Sequence, residues 1–139
     1  MTSKIFANIP VKDLKKSMGF FKALGFTFDL KFTNDDAACM IVGEGHYVML
    51  LTQEYFKSFT GKEIPDTSKT AQVILALAVE SREEVKEVVG KAFAAGAREY
   101  AAPRDYGFMY QESFADPDGH LWEIFYMDVE AQPADPAAA

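Results

Sequence analysis

The chain has 139 residues, which is the usual length of a single domain with one hydrophobic core. Hydrophobic residues make up 49% of the sequence and charged residues 25%, so the composition is that of a globular protein and not of a disordered one. The net charge of -7 argues against nucleic acid as a partner, because phosphate binding requires clustered Lys and Arg side chains.

The cysteine content and the apolar runs indicate the compartment. Cys39 is the single cysteine and cannot form an internal disulfide, and the N-terminus lacks a basic segment followed by an apolar run. No stretch of the sequence reaches the roughly eighteen uninterrupted apolar residues of a membrane span. We therefore expect a cytoplasmic protein without a membrane partner.

The first half of the chain predicts a strand, a helix and then three strands. Residues 4–11 form a short apolar strand, Asp13 is a candidate N-cap, and Gly25 stands where a helix over residues 14–24 would end. The three strands are predicted over residues 26–32, 37–42 and 46–52. A polar connector follows them and contains a possible helical turn around residues 55–59.

The second half repeats this order. Residues 72–79 predict a strand, Ser81 and Glu84 form a capping box, and Gly96 ends the helix that follows. The repeat aligns Asp13 with Ser81. Further strands are predicted over residues 98–101, 108–115 and 120–127.

This self-similarity predicts the architecture. We assign the chain to the α+β class, as two tandem βαβββ modules that form a curled mixed sheet with the helices on the outside. The modules cover about residues 4–60 and 71–127 of a single domain over residues 1–127. Residues 128–139 are rich in Ala and Pro without an apolar period, and they predict a flexible tail.

Two motifs, one in each module, carry a family resemblance. The first runs from Val11 to Ser17 and continues through Phe20-Phe21 and Leu24-Gly25-Phe26; the second is Asp116-Pro117-Asp118-Gly119-His120 leading into Trp122-Glu123-Ile124. In these positions they resemble the vicinal oxygen chelate superfamily, which contains glyoxalase I, extradiol dioxygenases, and fosfomycin- and bleomycin-resistance proteins.

The resemblance implies a cup built from two half-cups, which in the enzymes of the superfamily holds a divalent metal. Its ligands come from the first and last strand of each module. Carried over to this sequence, these positions hold Phe6, Met49, Ile74 and Glu123. Of these, Glu123 alone can bind a hard or borderline cation, so we expect no metal and no cofactor, and a place in the branch that does not bind metal.

Strand alternation places Phe6, Asn8, Met49, Ile74 and Glu123 on the face assigned to the cup. A carboxylate among apolar side chains is costly as an anion unless a partner pairs with it, and a cationic or hydrogen-bonding ligand would be such a partner. The alternative is that Glu123 is a relic, hydrogen-bonded to Asn8, Tyr110 or water.

Other candidate residues can have a structural role as well as a functional one. Phe108 and Tyr110 could stack on a planar ligand at the rim of the cup or pack at an interface. His46 and His120 each follow a glycine and are expected to be turn-exit residues without a catalytic role. Cys39 lies among apolar residues, where a buried inert thiol is usual.

Three functions fit these observations. The first is a small-molecule-binding protein resembling bleomycin-resistance proteins, which sequesters a planar or cationic ligand without metal. The second is a lyase or isomerase similar to glyoxalase I, the lactoylglutathione lyase, which uses a divalent metal. The third is a regulatory or interaction module whose cup is filled by its own side chains. We favour the first, and the resemblance also implies a homodimer.

Overall fold

Eight strands and three α-helices follow one another along residues 1–130, the part of the chain that the computed structural model describes. They belong to two compact units, Met1–Thr70 and a second unit that begins at Ala71. Most of the tail predicted to be flexible, from residue 131 onward, lies outside the described residues.

The first unit is a βαβββ module with an additional helix. In chain order it contains β1 (Ile5–Val11), α1 (Leu14–Ala23), β2 (Thr27–Asp29), a short 3-10 helix (Leu30–Phe32), β3 (Ala37–Gly43), β4 (His46–Thr52) and α2 (Gln53–Thr60). Its four strands form an open mixed sheet in the order β1-β4-β3-β2, in which β1 and β4 are parallel. Where the sequence predicts a helical turn around residues 55–59, the structure has the full helix α2.

The second unit repeats the module. It contains β5 (Ile74–Ala78), α3 (Arg82–Ala94), β6 (Arg104–Asp105), β7 (Met109–Ala115) and β8 (Leu121–Met127). The sheet order is β5-β8-β7-β6, with β5 parallel to β8, and it matches the order in the first unit strand for strand. The predicted α+β architecture of tandem βαβββ modules is therefore confirmed.

The two module helices begin and end with the signals that the sequence predicts. The Asp13 carboxylate accepts the backbone N–H of Lys16 at 3.1 Å, and the Ser81 hydroxyl accepts that of Glu84 at 3.1 Å. In a standard capping box the Glu84 carboxylate would accept the N–H of Ser81. Here it accepts the N–H of the preceding residue, Glu80. Gly25 and Gly96 then follow α1 and α3 with φ values of 102° and 104°, which L side chains rarely adopt.

Each unit buries its own apolar cluster between the sheet and its helix. In the second unit Trp122 and Phe114 stack at a centroid distance of 6.4 Å beneath Val85 and Val89 of α3, and all four are at most 1% exposed. In the first unit the corresponding cluster contains Val11, Phe21, Met40, Val48 and Leu50. Burying such side chains stabilises a fold by about 1.5–3 kcal/mol each, so these clusters fix which sheet face meets the helix.

One predicted strand is wrong. Residues 98–101 form a single bridge, between Arg98 and Ala115, and the edge strand β6 is instead the pair Arg104–Asp105. Pro103 precedes this pair, and proline cannot donate a ladder hydrogen bond, so regular pairing starts only after it. The strand predicted over residues 26–32 is likewise shorter, because it ends at Asp29 and turns into the 3-10 helix.

Among the helices of residues 1–130, none combines the length and the apolar character that crossing a bilayer demands.

Candidate functional site

Each sheet has one face against its module helix and an opposite face, which we call the far face. On β1 the residues Ile9 and Val11 are buried on the helix side, so Phe6 and Asn8 lie on the far face. Pairing of β5 with β8 puts Ala76 beside Glu123 on the far face of the second sheet. The burial of Ile9 and Val11 on β1 and of Trp122 and Ile124 on β8 agrees with the helix side that alternation predicts for these two strands.

The far face of the first sheet is aromatic and apolar. Phe6 stacks on Tyr47 of the neighbouring strand with a centroid distance of 4.6 Å and an interplanar angle of 11°, and Phe6 remains 48% exposed. Met49 lies beside Asn8, whose amide donates a hydrogen bond to the carbonyl of Phe6 at 3.1 Å. This surface can take apolar or planar groups but supplies no charge.

Glu123 lies on the far face of the second sheet and has a partner there. The amide Nε2 of Gln111 donates a hydrogen bond of 2.6 Å to Oε2 of Glu123. Because a carboxylate only accepts, the amide must present its nitrogen to Glu123 and keep its oxygen available as a second acceptor. The other carboxylate oxygen of Glu123 makes no hydrogen bond within residues 1–130. Two acceptor groups therefore lie side by side, a pattern that matches a ligand with adjacent N–H donors.

Three further polar side chains surround this pair. Ser113 is paired with Glu123 across β7 and β8, and Arg104 is paired with Gln111 across β6 and β7. The Tyr100 hydroxyl lies 3.4 Å from the carbonyl oxygen of Trp122 and donates to it weakly. We call this set of side chains the Glu123 cluster; it consists of Tyr100, Arg104, Gln111, Ser113 and Glu123.

The phenol of Tyr100 is influenced by both charges of the cluster. Burial raises its pKa, and the negative charge of Glu123 adds to this effect. The hydrogen bond with Ser113 and the positive charge of Arg104 act in the opposite direction. The Tyr100 hydroxyl is therefore neutral at physiological pH and can donate a hydrogen bond, and it lies within the influence of the Glu123 carboxylate and the Arg104 guanidinium.

Two of the candidate residues, Phe108 and Tyr110, lie elsewhere. Tyr110 is on the helix side of β7, where its hydroxyl donates to Glu112 at 2.7 Å and its ring lies under the cationic groups of Arg82 and Lys86. Phe108 is only 8% exposed, and its carbonyl accepts the N–H of Asp128. The structure brings neither side chain to Glu123. Tyr110, one of the alternative partners expected for the carboxylate beside Asn8 and water, is therefore not its partner, and the hydrogen bond comes from Gln111.

The histidines and the cysteine have the positions expected of structural residues. His46 and His120 each follow a glycine with positive φ, and the N–H of His120 donates to the Asp116 carboxylate. Cys39 is buried, and burial together with the nearby charge of Asp29 raises the pKa of its thiol. A raised pKa disfavours the reactive thiolate, so Cys39 is poorly suited to act as a nucleophile.

The residues at the metal-ligand positions of the superfamily do not fit a metal. Phe6 and Ile74 have no donor atom, and the thioether of Met49 is a poor ligand for the hard and borderline cations that these sites hold. Within residues 1–130 no group of three or more His, Cys, Asp or Glu side chains is placed to bind a metal ion.

Sequence reasoning missed most of the Glu123 cluster. The partner Gln111 could have been found by pairing residues outward from the Asp116–Gly119 turn, because this register sets Ser113 opposite Glu123 and Gln111 diagonal to it. Tyr100 and Arg104 gave no such signal, since they lie in an irregular edge segment without periodicity.

The family assignment rests on the sequence as a whole. The chain belongs to the Glyoxalase/Bleomycin resistance protein/Dioxygenase superfamily, whose sequence profile matches residues 5–124. Among curated proteins, none matches the chain significantly.

Several solved structures share this fold. A hypothetical protein from S. aureus is 27% identical, with a TM-score of 0.77 over 91% of this chain and 94% of its own. A glyoxalase/bleomycin resistance protein/dioxygenase family enzyme from Burkholderia phytofirmans is 20% identical, with a TM-score of 0.75 over 88% of this chain and 96% of its own. A bleomycin resistance determinant encoded on the transposon Tn5 is 17% identical, with a TM-score of 0.64 over 91% and 99%. The last two show the fold alone.

Proposed function

We propose that this protein binds a planar or cationic small molecule without metal, as a binding protein resembling the bleomycin-resistance members of its superfamily. The observation that carries the proposal is the environment of Glu123, which keeps one carboxylate oxygen open beside the acceptor oxygen of Gln111. This pair suits a guanidinium, an amidinium or a protonated amine, because such groups offer several N–H donors to neighbouring acceptors.

The apolar positions support the same function. Phe6, Met49 and Ile74 occupy places where metal enzymes of the superfamily have ligands, and Phe6 and Ile74 keep about half of their surface exposed. In the second unit Ile74 lies on the same far face as Glu123, so its exposed aliphatic side chain favours contact with the apolar body of a ligand whose orientation the carboxylate fixes. Sequestration needs no reacting group, which agrees with the poor suitability of Cys39, His46 and His120 for catalysis.

A thermal-shift experiment tests the proposal. Hexylguanidine and a panel of planar heteroaromatic cations are added to the purified protein, to Glu123→Gln and to the matched control Glu87→Gln, which removes an exposed charge from α3. We expect at least one compound to raise the melting temperature of the protein and of the control but not of Glu123→Gln. The absence of any shift across the panel contradicts the proposal.

The lyase alternative makes a different prediction for the purified protein. It requires stoichiometric divalent metal and turnover of a glutathione hemithioacetal that a chelator abolishes. Elemental analysis together with native mass spectrometry measures metal content, and the same spectra report whether the chain is the homodimer that we propose. If the protein contains one equivalent of metal per chain and a chelator abolishes its turnover, the protein is the lyase and not the binding protein.

A further inference from the structure

We propose that Arg104 forms an anion-binding contact on the same far face as Glu123, so that the ligand carries a cationic donor at one end and a carboxylate-like group at the other. This inference rests on the proposed function and makes it more specific, because it assigns the ligand to the class of small amphoteric molecules.

The strand β6 sets the orientation of Arg104. The next residue, Asp105, points to the helix side, where Arg82 of α3 donates to both of its carboxylate oxygens at 2.9 and 3.2 Å. Successive side chains of a strand point to opposite faces, so Arg104 is directed to the far face, in register with Gln111. The contact between α3 and Asp105 thus fixes the face on which the Arg104 guanidinium is presented.

Arg104 and Glu123 are arranged as separate binding groups and not as an ion pair. They lie two strands apart, roughly 10 Å between backbones, with Gln111 between them. Arg104 is exposed, and within residues 1–130 it makes no salt bridge or hydrogen bond through its side chain. Gln111 already occupies one oxygen of Glu123. The guanidinium and the remaining carboxylate oxygen are therefore both available to one ligand that spans the two strands.

The chemistry of the two ends decides the ligand class. A guanidinium offers paired donors that match a carboxylate in fork geometry, and Glu123 with Gln111 offers acceptors that match a cationic donor. A ligand with a cation alone would leave Arg104 unused and would be repelled by it. A molecule with both groups gains a second charged contact without additional net charge.

Matched probes test this inference by calorimetric titration. The probes are hexylguanidine, hexanoate and ω-guanidinohexanoate, which carries both groups on the same chain. We expect the protein to bind ω-guanidinohexanoate about fivefold more tightly than hexylguanidine, since an exposed charged hydrogen bond contributes an effect of this size. Arg104→Gln removes this difference, whereas Glu123→Gln weakens the binding of both guanidines.

The control is Lys91→Gln, which removes one positive charge from the exposed surface of α3 and should keep the fivefold difference. A difference that persists in Arg104→Gln overturns the inference, while loss of hexylguanidine binding in Glu123→Gln still supports the proposed function. If neither guanidine binds to the unmodified protein, the inference fails, and the thermal-shift panel of planar heteroaromatic cations then decides the proposed function on its own.

Discussion

Asp116 organises the turn that leads into β8 and so positions Glu123. Its Oδ1 accepts the backbone N–H groups of Asp118 and His120 at 2.9 and 3.0 Å, and its Oδ2 accepts the indole N–H of Trp122 at 3.0 Å. Burial raises the pKa of this carboxyl group, and the hydrogen bonds that it accepts act against that rise. The Asp116-Pro117-Asp118-Gly119 motif therefore has a structural role, which is to hold the turn before β8 in place.

Replacing this carboxylate by an amide tests that role. Asp116→Asn can keep the backbone hydrogen bonds through its oxygen but sets its own NH₂ group against the indole N–H of Trp122. We expect the free energy of unfolding to fall by about 1–3 kcal/mol, as for a buried polar group that loses its partner. Urea denaturation measures the change. Asp35→Asn, in an exposed loop, is the control, and an equal effect in both variants would contradict this account.

Tyr110 makes stability dependent on pH in the alkaline range. Burial and the hydrogen bond to Glu112 raise the pKa of Tyr110 from 10.0 to about 12. The folded protein therefore holds the phenolic proton more tightly than the unfolded chain. This contribution to stability is fully present below pH 10 and is lost as the pH rises through 12.

The variant Tyr110→Phe checks the sign of this effect. We expect the free energy of unfolding of the unmodified protein to fall more steeply between pH 10 and pH 12 than that of the variant. Urea denaturation at several pH values gives the two slopes. A decrease remains in the variant, because burial also raises the pKa of Tyr100. Equal slopes would mean that Tyr110 ionises as it does in the unfolded chain.

The short edge strand β6 depends on one long-range contact. Arg82 of α3 donates to the carboxylate of Asp105 and, at 2.8 Å, to the carbonyl of Gly107, while the Asp105 carboxylate also accepts the N–H of Gly107. The hydrogen bonds that the Asp105 carboxylate accepts from Arg82 and from the N–H of Gly107 lower its pKa, and the positive charge of Arg82 adds to this effect, so the contact is charged at neutral pH. A strand of two residues has little pairing of its own, so we assign its order to this contact.

Amide hydrogen exchange tests the role of the contact. Asp105→Asn should accelerate exchange at residues 104–111 and leave β5 and β8 unchanged, because the amide weakens the charged hydrogen bonds that hold this segment. Glu87→Gln, which breaks the exposed ion pair with Lys91 on α3, is the matched control. Unchanged exchange at residues 104–111 would show that pairing with β7 alone orders the segment.

The same edge segment explains where sequence reasoning was limited. Caps, helix-ending glycines and apolar alternation are local signals, and they gave the helices and most strands to within a few residues. Pro103 is a local signal for where β6 can begin, but the contact to which we assign the order of β6 joins Arg82 to Asp105, 23 residues apart, and no local pattern contains it.

The candidate site was predictable to a similar degree. Alternation along β8 was sufficient to place Glu123 on the far face, because its neighbours Trp122 and Ile124 are strongly apolar. Identifying Gln111 as its partner required the register between β7 and β8, and assigning Tyr110 to the helix side required the same information. Register is set by pairing across strands, which a pattern along one strand does not reveal.

At the scale of the whole molecule, the net charge of -7 attracts cations over long distances, and this attraction can be distinguished from local contacts by its dependence on salt. The Debye length falls from about 30 Å at 0.01 M salt to about 10 Å at 0.1 M, so added salt screens the field of distant acids before it weakens contacts on the far face. Hexylguanidine carries a full positive charge and responds to that field, whereas ω-guanidinohexanoate has no net charge. We therefore expect salt to weaken the binding of hexylguanidine by several-fold more than that of ω-guanidinohexanoate, as measured by calorimetric titration at the two salt concentrations. The same loss of affinity for both probes would mean that the surface acids do not contribute and that Glu123 and Gln111 alone attract the cation.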